Sequence, residues 1–256
     1  MKILVVITTA FTSTGGLTTV MMNYYRAMNK EGLKIDFAST NVPSQSLLDE
    51  IHVEGSEYYQ LPPRKKIVSY FYRLRRLCKN YDLLHVHGNS STSVLELMAA
   101  NWAGVKRRIV HNHTSRSQHP WINLLLHPFF LMSYTKAIAC SDAAGEWLFG
   151  NKQYQILRNA IKVSCFHYDV SVRQQIRQLL GISDSTFLVG HVGKFMDAKN
   201  HPFVIAVFAE IHRLIPNSKL LLVGDGPLRG MVETAVKNLH VEDCVILVGL
   251  RSDIPQ

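Results

Sequence analysis

Cysteine is scarce and scattered. The four present, Cys78, Cys140, Cys165 and Cys244, form no C-x-x-C pair and have no histidine at zinc-finger spacing. That excludes a disulfide scaffold and a structural zinc finger, and makes a reducing cytosol the expected compartment. Long hydrophobic runs are also missing. The amino-terminal run from Ile3 to Ile7 stops at Thr8 and Thr9, and no small-residue cleavage site follows it, so it reads as a first buried strand rather than a span or a signal peptide. Acidic residues are few, 19 against 28 Lys and Arg, for a net charge of +9. Such a balance suits partners that carry phosphate or an anionic membrane surface, without choosing between them. There is no solenoid-period repeat and no low-complexity tract. What remains, 256 residues of which 47% are apolar, is enough for one large folded domain or two modest ones.

Short β-rich runs alternate with segments of helical period. The runs are Ile3 to Ile7, Ile35 to Ser39, Leu83 to His87, Arg108 to His113, Lys136 to Cys140, Phe187 to Gly193, Leu220 to Gly224 and Val245 to Gly249. This alternation predicts an α/β protein of parallel sheets with crossover helices. The rhythm pauses between Asn159 and Thr186 across a polar, irregular stretch, which predicts two domains, 1–165 and 166–256. The second series has three strands before Gln256, with a helix start at Ser252-Asp253. A doubly wound domain ordinarily pairs two βαβ halves, so the second domain is expected to be incomplete and the chain truncated. A half-sheet also leaves an open parallel edge.

Glycine-bearing turns at strand ends are the first candidates for chemistry. Gly15-Gly16 follows the first strand and leads into a helix. There the backbone can approach a ligand, and free N–H groups with a positive dipole end favour phosphate. A tight turn with no ligand explains two glycines equally well, since this is neither G-x-G-x-x-G nor a P-loop. The second domain opens with His191-Val192-Gly193-Lys194 and reaches Lys199 within the same turn, just before a helix, where two cations can neutralise a diphosphate. Gly224-Asp225-Gly226-Pro227 repeats the strand-turn-helix theme, with Pro227 expected in the first helical turn. The dinucleotide fingerprint is one residue too long there, and no acid ends the following strand, which disfavours NAD.

Two H-x-H pairs, His85/His87 and His111/His113, end predicted strands. Period two puts each pair on one face, toward the ligand crevice of an open α/β sheet. Three readings stand open: contact of a single histidine with a ligand, imidazoles that bond backbone within the sheet, and a zinc site. Residues 64–80 contain no acid, and helical spacing gathers Ile67, Tyr70, Phe71, Leu74 and Leu77 on one face. That pattern fits a helix lying on anionic lipid and fits equally an outer helix whose apolar face is core. The stretch from Trp121 to Met132 is apolar but broken by Asn123, His127 and Pro128, too interrupted to span a bilayer.

Taken in order and spacing, Gly15-Gly16, Leu83 to Gly88, His111 to Ser115, Ala139-Cys140-Ser141, Asn159-Ala160-Ile161, Gly193 to Asn200, Gly224 to Pro227 and Leu247 to Asp253 resemble the GT-B glycosyltransferases of family four. These are retaining enzymes of capsular polysaccharide, exopolysaccharide and lipopolysaccharide synthesis. The resemblance implies a GT-B fold, two Rossmann-like doubly wound parallel-sheet domains, the second incomplete here. It implies that Gly15, Gly16, Gly193, Lys194, Lys199, Gly224, Leu250 and Arg251 bind the donor, a nucleoside-diphosphate sugar. It also implies catalytic roles for His113, Lys194 and Lys199, and a cleft lined by Gly16, His113 and the two lysines is expected. Lys194 stands where the family usually has arginine, keeping the charge without the bidentate fork. No metal and no other cofactor is expected, and the family's two-glutamate motif is expected beyond Gln256.

The expected partners are therefore a sugar nucleotide, a glycan or lipid-linked acceptor, and an anionic membrane surface met through residues 64–80. The expected location is cytoplasmic, peripheral on the inner face of the cell membrane. Nucleic acid is not expected, because the basic residues are not interleaved with a reading motif. The chain by itself is expected to be inactive or impaired. Two alternatives remain: a non-catalytic fragment that binds acceptor or a partner, and a metal hydrolase using His85/His87 and His111/His113.

Overall fold

In a computed structural model, residues 1–13, 15–117, 119–251 and 253–254 are described. Thr14 of the first glycine loop and Ser252 of the expected last helix start thus lie outside the described residues. The chain divides into two compact units, Met1–Ile161 and Lys162–Gln256. The boundary expected at 165 falls in the 3-10 turn Val163–Cys165 of the second unit.

The first unit is a seven-stranded parallel sheet in the order β3-β2-β1-β4-β5-β6-β7. Its strands are β1 (Lys2–Ile7), β2 (Lys34–Ser39), β3 (Tyr58–Gln60), β4 (Leu83–Gly88), β5 (Arg107–Asn112), β6 (Lys136–Ala139) and β7 (Gln155–Ile156). The two short edge strands β3 and β7 were not anticipated, since two or three residues carry no periodic signal. Strand side chains alternate between two cores. Leu4, Val6, Leu84, Val86 and Val110 face one layer, packed with α3 (Ile67–Cys78), α4 (Val94–Trp102), α5 (Pro120–Leu131) and α6 (Asp142–Phe149). Val5, Ile7, Ile35 and Phe37 face the other, packed with α1 (Gly16–Ala27) and α2 (Gln45–Val53). Burial on both faces is why these strands read as continuous apolar runs rather than alternating ones.

Helix α3 decides between its two readings in favour of the core. Tyr70, Leu74 and Cys78 are buried, Phe71 and Leu77 pack against the same cluster, and only Ile67 of the expected apolar face is mainly exposed. A helix that spends most of its apolar face on the core leaves outward its cations and, here, Ile67, Val68 and Tyr72.

The second unit holds α7 (Val170–Leu179) and a parallel three-stranded sheet, β10-β9-β8, built from β8 (Phe187–Val192), β9 (Ser218–Val223) and β10 (Val245–Gly249). Helices α8 (His201–Leu214) and α9 (Arg229–Asn238) close one face around Phe195, Ile205, Phe208, Leu220, Leu222 and Val232. The other face borders a cavity of about 470 Å³ shared with α7. Pro227 is not in the first turn of a helix: α9 begins at Arg229, with Leu228 as its N-cap. The turn is held back because the Leu228 amide donates to the Phe195 carbonyl at 3.2 Å.

Candidate functional site

In the first unit the sheet order reverses direction between β1 and β4, and ligands of open α/β sheets bind outside the carboxyl ends of the strands at such a switch point. A cavity of about 390 Å³ lies there, lined by Thr8 and Thr9 after β1, Asn89, Ser90 and Thr92 after β4, and Thr114, Arg116, Ser117 and His119 after β5, with Arg64. Arg64 is already matched: its Nε lies 3.0 Å from Oε1 of fully buried Glu96, and Nη2 donates to the Thr92 carbonyl at 2.8 Å. Arg116 forms no ion pair among the described residues. It is therefore a cation available to an anionic ligand. The sequence reading passed over Asn89 and Arg116. Their signal was position alone: Asn89 directly follows β4, which flanks the reversal, and Arg116 lies in the loop after the neighbouring strand β5.

Of the residues singled out from sequence, Gly15 is the N-cap of α1, with no side-chain cap bond and no acid in the first turn. A Cβ on Gly15 would press on Thr12 and Thr18 at 3.1–3.3 Å, whereas one on Gly16 would meet nothing within 4 Å. Gly15 thus satisfies a packing need, and Gly16 leaves the helix amino terminus open to solvent, where an anion is favoured.

The four histidines of the H-x-H pairs converge, because the register pairs His87 with His111. Ring centroids are 4.3 Å apart for His85 and His87, 4.1 Å for His111 and His113, and 5.0 Å for His87 and His111. His87 Nδ1 and His113 Nε2 share a hydrogen bond of 2.9 Å. Burial holds all four below the ordinary imidazole range, and charge on a neighbouring imidazole lowers His85, His87 and His111 further; His113 is held down to about 4. At neutral pH they are uncharged. His113 is then a neutral hydrogen-bonding group, held by its hydrogen bond to His87, and not a cation.

His85, His87 and His111 are also the group whose ligand atoms, within 4.8 Å of one another, could hold a metal ion. Buried Nε2 of His85 and both ring nitrogens of His111 have no partner. No carboxylate belongs to the group, and the cavity of about 170 Å³ that the three border is otherwise lined by Ile3, Val5, Met21, Tyr25 and similar residues. The donors suit a divalent cation. The apolar surroundings supply no carboxylate to act on a bound water.

In the second unit three strand ends are stitched by backbone. The Gly193 amide donates to the Val223 carbonyl at 2.9 Å, the Phe195 amide to the Asp225 carbonyl at 3.1 Å, and the Gly224 amide to the Gly249 carbonyl at 2.8 Å. Gly224 has φ +144°, and a Cβ there would lie 2.0 Å from the Gly193 carbonyl oxygen. Only glycine fits both the conformation and the approach. Gly193, Lys194, Lys199 and Gly224 thus share one edge. Both lysines are exposed and form no ion pair among the described residues, and the Lys199 stem runs 3.5 Å from a Cβ position on Gly193. Leu250 and Arg251 follow β10 at the same edge. Leu250 is exposed, while Arg251 is engaged by Asp253, its Nε donating to Oδ1 at 2.8 Å.

Comparison with known proteins fits this geometry. The sequence pattern described as Glycosyltransferase Family 4 matches residues 14–162, more than half of the chain. The chain belongs to glycosyltransferase family 4. A second pattern, glycosyl transferases group 1, matches residues 172–256. Among curated relatives, the protein named as the glycosyltransferase EpsF of Bacillus subtilis is 26% identical over 94% of this chain and 66% of its own length. N-acetyl-α-D-glucosaminyl L-malate synthase of Bacillus anthracis is 26% identical over 97% of this chain and 68% of its own. The chain therefore spans about two thirds of the relatives it matches. The solved structure of HepE from Anabaena in complex with UDP superposes with a TM-score of 0.80 at 20% identity, covering 100% of this chain and 71% of that one. WaaG, described as a glycosyltransferase involved in lipopolysaccharide biosynthesis, gives 0.71 at 15% identity over 100% and 71%. These likenesses bear out the GT-B fold, with two parallel-sheet units of the Rossmann kind. Among the described residues no helix is long and apolar enough to cross a membrane.

Proposed function

We propose that this family 4 chain carries the acceptor side and part of the donor side of a retaining glycosyltransferase. It would move a sugar from a nucleoside-diphosphate sugar to a glycan or lipid-linked acceptor in surface polysaccharide synthesis. The observation that carries the reading is the edge of the second unit, where glycine turns leave two unpaired lysines beside strand ends. HepE has been solved with UDP and with UDP and glucose, which supports a uridine diphosphate sugar as the donor class to test first.

A sugar nucleotide already carries its leaving group, so the protein's task is to orient donor and acceptor and to stabilise charge on the departing diphosphate as the C1–O bond breaks. Lys194 and Lys199 supply that charge, the open amino terminus at Gly16 adds a positive dipole end, and neutral His113 orients a sugar hydroxyl without taking its proton. Gly193 and Gly224 let the backbone approach the nucleotide, and Leu250 and Arg251 complete its contacts. With lysines doing this work the transfer needs no metal, and the hydrolase alternative has less support because the histidine cluster has no carboxylate and borders an apolar cavity. The switch-point cavity with Arg116 is the acceptor subsite, and the cations of residues 64–80 bring the protein to an anionic membrane on the cytoplasmic side. Donor binding by this chain alone is weak, because much of the second unit's sheet is open. An assay of sugar transfer from UDP-sugars to diphosphate-linked lipid acceptors tests the reading; turnover unaffected by removal of both lysines would refute it.

A further inference from the structure

Helix α5 carries large apolar residues both inward and outward, yet only the inward side is packed. Inward, Phe130 is fully buried, Leu126 and Leu131 pack on the same core, and Asn123 and His127 bond Ser91 at 2.8 and 3.0 Å. Outward, Trp121 (82% exposed), Leu125 (71%), Phe129 (60%) and Met132 (84%) lie on one arc with Leu124 and Ile122. A continuous exposed apolar surface marks an interaction site. The same helix layer adds Val68 and Tyr72 of α3 and Trp102 of α4, all exposed, with Trp102 edge-on to Phe71 at 5.2 Å.

Charge identifies the occupant. Residues 58–141 contain twelve Lys or Arg against two acids, Asp82 and Glu96, while the rest of the chain is balanced at 16 against 17. Glu96 is buried against Arg64, and no acid at all lies between residues 97 and 141. A second copy of this chain would bring the same positive surface against itself, which like-charge repulsion opposes. An anionic lipid surface supplies both an apolar layer for the helix and counter-charge for its surroundings.

We propose that α5 is a membrane-docking helix: Trp121, Leu125, Phe129 and Met132 enter the acyl boundary of an anionic bilayer, and Lys65, Lys66, Arg73 and Arg76 of the neighbouring segment meet headgroups. The docking rests on the membrane contact proposed above for residues 64–80, but it reverses the division of labour. Residues 64–80 give charge and α5 gives insertion. It does not depend on sugar transfer. His119, which lines the switch-point cavity, immediately precedes α5, so docking would bring that cavity to the headgroup level where a lipid-linked acceptor carries its phosphates.

The test is sedimentation of the purified chain with phosphatidylglycerol-containing and pure phosphatidylcholine vesicles. We expect binding to the anionic vesicles, weakened roughly tenfold or more by Leu125→Asp with Phe129→Asp, with circular dichroism and melting unchanged because both residues are exposed. Tryptophan emission should be quenched by brominated lipid, and much of that quenching lost in Trp121→Phe. A Lys65→Glu, Lys66→Glu variant separates the readings: loss of binding there, with the α5 variants binding as the parent does, overturns the α5 proposal while leaving the charge contact in place. Equal binding to both vesicle types, or a dimer in solution that the α5 variants dissolve without any vesicle binding, also overturns it.

Discussion

The two units use the same α/β grammar to opposite ends. In the first, seven strands are sandwiched between two helix layers, and His87 and His111 near the strand ends are buried, neutral imidazoles. In the second, three strands bury one face well, Phe187 and Val192 of β8 are half exposed, and the cations stand in water. The difference teaches where each kind of chemistry can be kept. A neutral donor or acceptor is held in one orientation by a dry, packed setting. A cation that must meet a diphosphate is better left solvated until its partner arrives, since burying it alone would cost several kcal/mol or shift its pKa.

Acid is the strongest way to break that contrast. The buried histidines have folded pKa values below the unfolded value near 6.5, so below that pH the unfolded chain binds protons that the native chain refuses. Stability should therefore be unaffected above about pH 7 and fall as pH drops through the range from about 6.5 toward 4, by about 1.4 kcal/mol per pH unit for each imidazole. With four such groups the loss by pH 5.5 reaches up to about 6 kcal/mol, read as a falling melting temperature of the first unit. His111→Phe should make that fall shallower. A profile as flat as one for a chain with no buried histidine would contradict the neutral cluster.

The second unit should instead be most sensitive to its backbone stitches. Gly224→Ala would force a Cβ into the Gly193 carbonyl at a positive φ, and we expect a loss of about 3 kcal/mol confined to that unit. Denaturant melts followed by hydrogen exchange would localise the effect. Unchanged protection in β8 to β10 would show that the turn can relax. Smaller still is Arg116→Ala, for which we expect about a tenfold rise in KM for an anionic acceptor, worth about 1.4 kcal/mol, with the donor KM and the melting temperature unmoved. An equal rise for both substrates would take Arg116 out of the acceptor subsite.

Much of this was legible in the sequence, and what was not has physical reasons. Strands of five or six residues such as Ile3 to Ile7 and Val245 to Gly249 declared themselves by apolar runs, as did the glycine turns at 193 and 224. β3 and β7 did not, being two or three residues at the sheet edges. The H-x-H pairs indicated a shared face within each strand, but their convergence depends on the register that sets His87 beside His111, which no single strand encodes. The largest shift concerns α3 and α5. Both carry apolar residues at helical spacing, and only tertiary packing decides that Tyr70 and Leu74 go inward while Trp121 and Leu125 stay out. Pro227 misled because a proline near a helix start fits the turn before the helix as well as its first turn.

The central claim, that the exposed lysines of the second unit hold a donor diphosphate, is tested most directly by calorimetric titration of UDP and UDP-glucose into the chain and into its Lys194→Ala, Lys199→Ala variant. The account predicts saturable, salt-sensitive binding to the parent, at least about tenfold weaker in the variant, whose melting temperature stays the same because both side chains are exposed. Equal affinity in parent and variant, or no saturable nucleoside-diphosphate binding to either, would contradict it.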